Sequence, residues 1–112
     1  MKYDHIGIPT TEEKAWSAYL EGAKVHITDA AAHPYGVEWL KFEPGSPMHE
    51  LIQKVPHVAF EVENLDNALR GATVIVEPFV PMEGLRCAFI DADGAPVELM
   101  QKTKKSGCSC CQ

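Results

Sequence analysis

The sequence predicts an α+β fold in which two tandem βαβββ modules, residues 1–54 and 55–102, form one domain around a curved mixed sheet. Three observations predict it: the chain repeats itself, its turn-forming residues flank short strand-like runs instead of interrupting them, and only Val55 and Pro56 separate the two copies. At 112 residues the chain has the size of one domain, so two halves with no linker must share a core.

The repeat shows in three overlays. YDHIGIPTTEEKAW, from Tyr3, lies over VPHVAFEVENLDNA, from Val55, and places His5 on His57. EGAKVHI, from Glu21, matches RGATVIV, from Arg70. GVEWLKFEPGSPMHELIQK, from Gly36, overlays GLRCAFIDADGAPVELMQK, from Gly84, without a gap, and places Glu50 on Glu98.

In the first copy, Tyr3 to Ile8 reads as a strand. Thr10 or Thr11 then caps a helix whose positive first turn holds Glu12 and Glu13 and which Gly22 ends. Three strands follow, Val25 to Thr28, Val37 to Phe42 and Met48 to Lys54, separated by His33-Pro34-Tyr35-Gly36 and Pro44-Gly45-Ser46-Pro47. In the second copy the strands are His57 to Val62, Thr73 to Val76, Leu85 to Ile90 and Val97 to Gln101. A short helix spans Leu65 to Arg70, Gly71 ends it, and Asp91-Ala92-Asp93-Gly94 makes the last hairpin turn, where glycine takes positive φ without steric cost.

Composition narrows the function classes. With 46% hydrophobic and 23% charged residues and no apolar run long enough to span a bilayer, the chain reads as soluble, without a membrane partner. MKYDHIGIPTT lacks the apolar stretch of a secretory signal, so a cytoplasmic location is expected. A net charge of -6 repels a phosphate backbone, which argues against nucleic acid as a partner. Three of the four cysteines crowd into Cys108, Cys110 and Cys111, which is no disulfide framework. Residues 103–112 read as a flexible tail whose thiols suit a soft ion. Cys87 reads as a small buried hydrophobe within a strand.

Alternation along the strands puts His5 with Tyr3 and Gly7 on one face and His57 with Ala59 and Glu61 on one face, opposite apolar faces suited to packing under helices. Carboxylates buried beside them are costly unless paired or metal-bound. His5, Glu50, His57 and Glu98, arriving as a His/Glu pair from each copy, therefore suit one divalent cation with nitrogen and oxygen ligands. Glu38 and Arg86 hold equivalent places in the two copies and are candidate substrate contacts, one as an acid/base and one as an anion anchor; Tyr35, Trp39, Phe42 and Met82 are candidate pocket walls.

The motifs DHIGI and PHVAFEV at the starts of the modules, with HELIQ and DADGAPVELMQ at their ends, resemble the vicinal oxygen chelate superfamily, which includes glyoxalase I, bleomycin resistance proteins and methylmalonyl-CoA epimerase. The resemblance covers Met1 to about Lys102. It implies a cup-shaped glyoxalase-like sheet, a homodimer and metal ligands from the first and last strands of each module, here His5, Glu50, His57 and Glu98. It also implies one divalent ion (Ni, Co, Zn, Mn or Fe) serving a lyase or isomerase that acts on a small carbonyl or thioester substrate, with Glu98 and Glu50 as candidate catalytic bases. Alternatives within the same resemblance are an Fe(II)-dependent dioxygenase and a non-enzymatic small-molecule or metal-binding protein. The chain is shorter than the best-known glyoxalase I and epimerase enzymes and lacks a glutathione-binding arginine set, so the resemblance leaves the substrate open.

Overall fold

The computed structural model describes residues 1–103, so the tail from Lys104, with its cysteine cluster, lies outside the described residues. Eight strands form one curled mixed sheet: β1 (Lys2–Pro9), β2 (Ala18–Leu20), β3 (Val25–Ile27), β4 (Val37–Phe42), β5 (His57–Glu61), β6 (Thr73–Met82), β7 (Leu85–Ala92) and β8 (Ala95–Lys102). Their spatial order is β2-β3-β4-β1-β5-β8-β7-β6. Two short α-helices, α1 (Glu50–Lys54) and α2 (Leu65–Ala68), and a single 3-10 turn at Ala30–Ala32 accompany them, and no helix among the described residues is long and apolar enough to cross a membrane.

The first strands of the two halves meet at the centre, where β1 runs antiparallel to β5. Each also has a parallel neighbour from its own half: β1 pairs with β4 and β5 with β8. The register places Glu38 beside Gly7 and Glu98 beside Ala59. Glu38 is thus the structural counterpart of Glu98, each standing across from the residue two positions beyond its module's histidine.

This corrects the third sequence overlay. Met48 to Lys54 is not a strand, and Glu50 does not match Glu98; Glu50 opens α1. The His49 ring caps the helix by accepting the Leu51 N–H at 3.0 Å. Glu50 sits in the favourable first turn and bonds Lys54 one turn later at 2.9 Å. Ile52 is the residue α1 buries, on the concave side of the sheet.

The predicted helix from Thr10 or Thr11 to Gly22 also does not form. Thr10 Oγ1 accepts the Glu12 N–H at 3.1 Å, closing a local turn that competes with a helical start. The chain then crosses the outer face of the sheet, where Lys14 stacks over Trp39 and Glu13 pairs with Lys41. Backbone pairing to β3 next captures Ser17 and β2, with the Ser17 N–H donating to the Ile27 carbonyl at 2.8 Å. Long-range ladder bonds outweigh a short helix that is marginal by itself.

The second half follows the predicted βαβββ order, with β6 running six residues beyond the predicted Val76, to Met82. Leu65 of α2, fully buried, packs with Ala88 and Leu99 on the outer face of the sheet. Ala59, Cys87 and Met100 pack on the inner face against Phe79 and Leu85, and Cys87 is buried as expected. The final hairpin turns at Asp93 and Gly94, both at positive φ, with Asp91 accepting the Gly94 N–H at 2.6 Å.

Candidate metal centre

The inner face of β1, β4, β5 and β8 brings four polar side chains together in a largely apolar cup. His5, His57 and Glu98 are 7%, 2% and 9% exposed. Glu98 Oε1 lies 3.1 Å from His57 Nε2 and 3.3 Å from His5 Nε2, and Glu38 Oε1 lies 3.6 Å from His5 Nε2. One donor atom each from His5, Glu38 and His57 falls within 4.8 Å of the others.

Asp4 completes the environment of His5. Neighbouring residues on a strand normally face opposite sides, but the β1–β5 register shifts between Tyr3 and His5, and this irregularity lets the Asp4 carboxylate reach His5 Nδ1 at 2.8 Å. With Nδ1–H donated to Asp4, Nε2 is the nitrogen that faces the cluster and can ligate an ion once its proton leaves, the arrangement that orients metal-binding histidines. Gly7 makes room for His57: a Cβ there would lie 2.2 Å from Cε1 and 2.6 Å from Nε2 of the His57 ring.

Two buried ring nitrogens, His5 Nε2 and His57 Nδ1, have no hydrogen bond among the described residues; Glu98 is near His5 Nε2 but not aligned for one. Such atoms cost about 1–3 kcal/mol each unless something satisfies them. Two imidazoles and two carboxylates with an orphaned nitrogen among them fit a borderline divalent cation.

The electrostatics show how tightly the cluster holds protons without an ion. Burial pulls the pKa of His5 down, yet the Glu98 carboxylate 3.3 Å from Nε2 and the bond to Asp4 outweigh it and raise it to about 9. Burial pushes Glu38 up to about 7, with Glu98 and Asp4 adding repulsion. Burial also opposes ionisation of Glu98, but the two histidines overcome it and hold its carboxyl at about 2.

The structure thus brings together His5, His57 and Glu98 as the sequence suggests and adds Glu38, which the sequence offered only as a substrate contact. It does not bring Glu50 there. That side chain is 75% exposed on α1 and paired with Lys54, which holds its carboxyl below the ordinary range, so Glu50 is placed neither as a ligand nor as a base. Arg86 is also displaced: it points to the outer face and bonds Asp66 of α2 at 3.0 Å. Phe42 and Met82 line the cup, whereas Tyr35 is exposed and Trp39 lies on the outer face under Lys14. Asp4 and Gly7 were missed as parts of the site. The signal for Glu38 was present in the repeated dipeptides Val37-Glu38 and Val97-Glu98.

The cluster forms the floor of a cavity of about 110 Å³ walled by Val25, Leu40, Phe42, Ile52, Phe89 and Met100, among others. A larger open depression, about 1140 Å³, lies beside α2 on the outer face, but it holds no such donor cluster among the described residues.

No family model matches the chain, and no curated protein matches it significantly. Solved structures do. A hypothetical protein from Bacillus halodurans C-125 is 23% identical, with a TM-score of 0.66 over 94% of this chain and 96% of that one. Methylmalonyl-CoA epimerase from Mycobacterium tuberculosis is 17% identical, with a TM-score of 0.62 over 92% and 89% of the two chains. The chain has the vicinal oxygen chelate fold. In this member of the fold, all four clustered side chains come from one polypeptide, two from each half.

Proposed function

We propose that the chain is a small metal-dependent enzyme of the lyase or isomerase type, holding one divalent cation through His5, Glu38, His57 and Glu98 and acting on a carbonyl compound or thioester. The observation that carries this is the buried two-histidine, two-carboxylate cluster with its orphaned ring nitrogen. A divalent ion bound there would supply Lewis acidity that favours negative charge developing on a substrate oxygen. The chain supplies the rest. Asp4 fixes the His5 tautomer, Gly7 leaves the His57 ring its place, and the apolar walls limit water.

Of the two carboxylates, Glu98 is engaged by both histidines and serves best as an anchor. Glu38 makes the looser contact and borders the cavity, which suits a group that takes a carbon-bound proton and returns it. One feature favours a second reading: His5, His57 and Glu38 also match the two-histidine, one-carboxylate set of Fe(II) oxygenases. We further propose a cytoplasmic homodimer, which would duplicate a site already complete within one chain.

Elemental analysis tests the centre in a Cys108→Ser, Cys110→Ser, Cys111→Ser background, which removes competing thiols. Near-stoichiometric metal that is lost in His57→Ala and in Glu38→Ala, with folding intact by circular dichroism, is the expected result. Iron accompanied by substrate-dependent oxygen uptake would move the assignment to the oxygenase. Metal content unchanged in both variants would refute the centre.

A further inference from the structure

The cavity above the cluster, about 110 Å³, falls well short of the ~300 Å³ at which pockets for ordinary ligands begin. Only the reacting end of a substrate fits, and the remainder must leave by an adjoining space. One exists. The sheet curls until its edge strands β2 and β6 face each other across a vestibule of about 530 Å³. Leu20, Ala23, Met48, Phe79 and Pro81 line both spaces, so the two adjoin across these side chains.

The vestibule is an apolar passage. Tyr19, Glu21, Gly22, Val76 and Val80 complete its walls, and Val80 is 64% exposed. Among the described residues lining either space there is no lysine or arginine, and the vestibule's single charged residue is Glu21. An anionic arm would meet no cation there and one carboxylate, in a chain of net charge -6.

Resting on the metal-centre proposal, we infer that the substrate is an elongated molecule whose reacting end meets the ion and whose neutral, apolar tail leaves between β2 and β6. A phosphorylated or carboxylated tail is disfavoured.

Straight-chain hydroxamic acids test this, because they present two adjacent oxygens to a metal and carry a tail of chosen length. The full-length Cys108→Ser, Cys110→Ser, Cys111→Ser protein, free of competing thiols, is reconstituted with Co²⁺ and titrated by following the visible absorption of the ion, a readout independent of turnover. Affinity is expected to rise towards roughly fourfold per methylene and to gain at least ~50-fold from acetohydroxamate to octanohydroxamate. Suberic monohydroxamate, of similar length but ending in a carboxylate, is expected to bind no better than acetohydroxamate. Val80→Asp, an exposed position that spares the core, is expected to weaken octanohydroxamate about tenfold and leave acetohydroxamate unchanged, whereas Val80→Ile keeps the length dependence. Acetohydroxamate binding with no gain along the series overturns the apolar channel alone. Failure of every hydroxamate to perturb the Co²⁺ spectrum overturns the metal centre, and this inference with it.

Discussion

Gly7→Ala is the sharpest perturbation the geometry offers. The added Cβ would sit 2.2 Å from His57 Cε1, where ordinary contact begins at 3.4 Å, so the ring must retreat by about 1 Å. It has little room to do so: His57 is 2% exposed, packs edge-on to Phe89 at 5.1 Å and bonds Glu98 at 3.1 Å. A retreat of that size breaks the bond to Glu98, at a cost of about 1–3 kcal/mol, and overpacking adds a similar amount. Together these amount to about 2–6 kcal/mol, or a fall in Tm of at least roughly 10 °C in a domain of this size. If the ring instead swings aside, stability recovers but the donor atom leaves a site that tolerates about 0.2 Å. Metal affinity falls by at least ~100-fold on either path. Calorimetric melting and metal titration read the two effects separately. Gly22→Ala, where a Cβ meets nothing within 4 Å, is the control and should match wild type in both. A Gly7→Ala protein with unchanged Tm and full metal content would refute the close approach of Gly7 to His57.

Asp4→Asn keeps the shape but weakens the hold on His5 Nδ1, so metal affinity should fall about 10–100-fold with little change in the far-ultraviolet spectrum; unchanged affinity would remove Asp4 from the site. Glu50→Gln should leave metal content untouched and cost only the exposed pairing with Lys54, measured by melting, whereas Glu38→Gln should lower metal content. The metal-free protein should lose stability as pH rises. His5 and Glu38 both bind protons more tightly when folded, so their contributions are full below 6.5 and 4.5 and disappear as pH passes about 9 and about 7. Glu98 acts the other way, its contribution present above 4.5 and lost as pH falls towards about 2. Thermal melts in chelator should therefore show Tm declining from about pH 5 to 9, and a rising Tm over that range would contradict the cluster's electrostatics. Metal uptake at pH 7.5 should release protons, mainly from His5, seen as a dependence of binding enthalpy on the buffer's ionisation enthalpy.

Much of the site was legible because strand alternation is a local signal. It placed His5 and His57 on the concave face, and the repeat joined them. Glu98 followed from its position on the last strand, and the Asp91–Gly94 turn from its glycine. The first half resisted for two physical reasons. HELIQK and VELMQK look alike, yet five residues from Glu50 to Lys54 are too few to separate a period of 3.6 from one of 2, so a capped helical turn passed for a strand. The true partner of Glu98 was fixed by parallel pairing of β4 with β1, a contact between distant residues that the repeated Val-Glu dipeptide hints at but cannot choose over the longer gap-free overlay. Asp4 was hidden similarly, since only the irregular register at β1 brings it to the side of His5.

The antiparallel meeting of β1 and β5 puts His5 across from Ala59 and Gly7 across from His57, an exchange of roles about a local twofold axis. The donor cluster sits at this seam, so half a centre comes from each repeat and neither repeat owns it. An ion bound there would act as a rivet through the joint of a duplicated protein. Peeling one repeat from the other would mean extracting the metal first, so its occupancy and the cohesion of the two halves would rise and fall together.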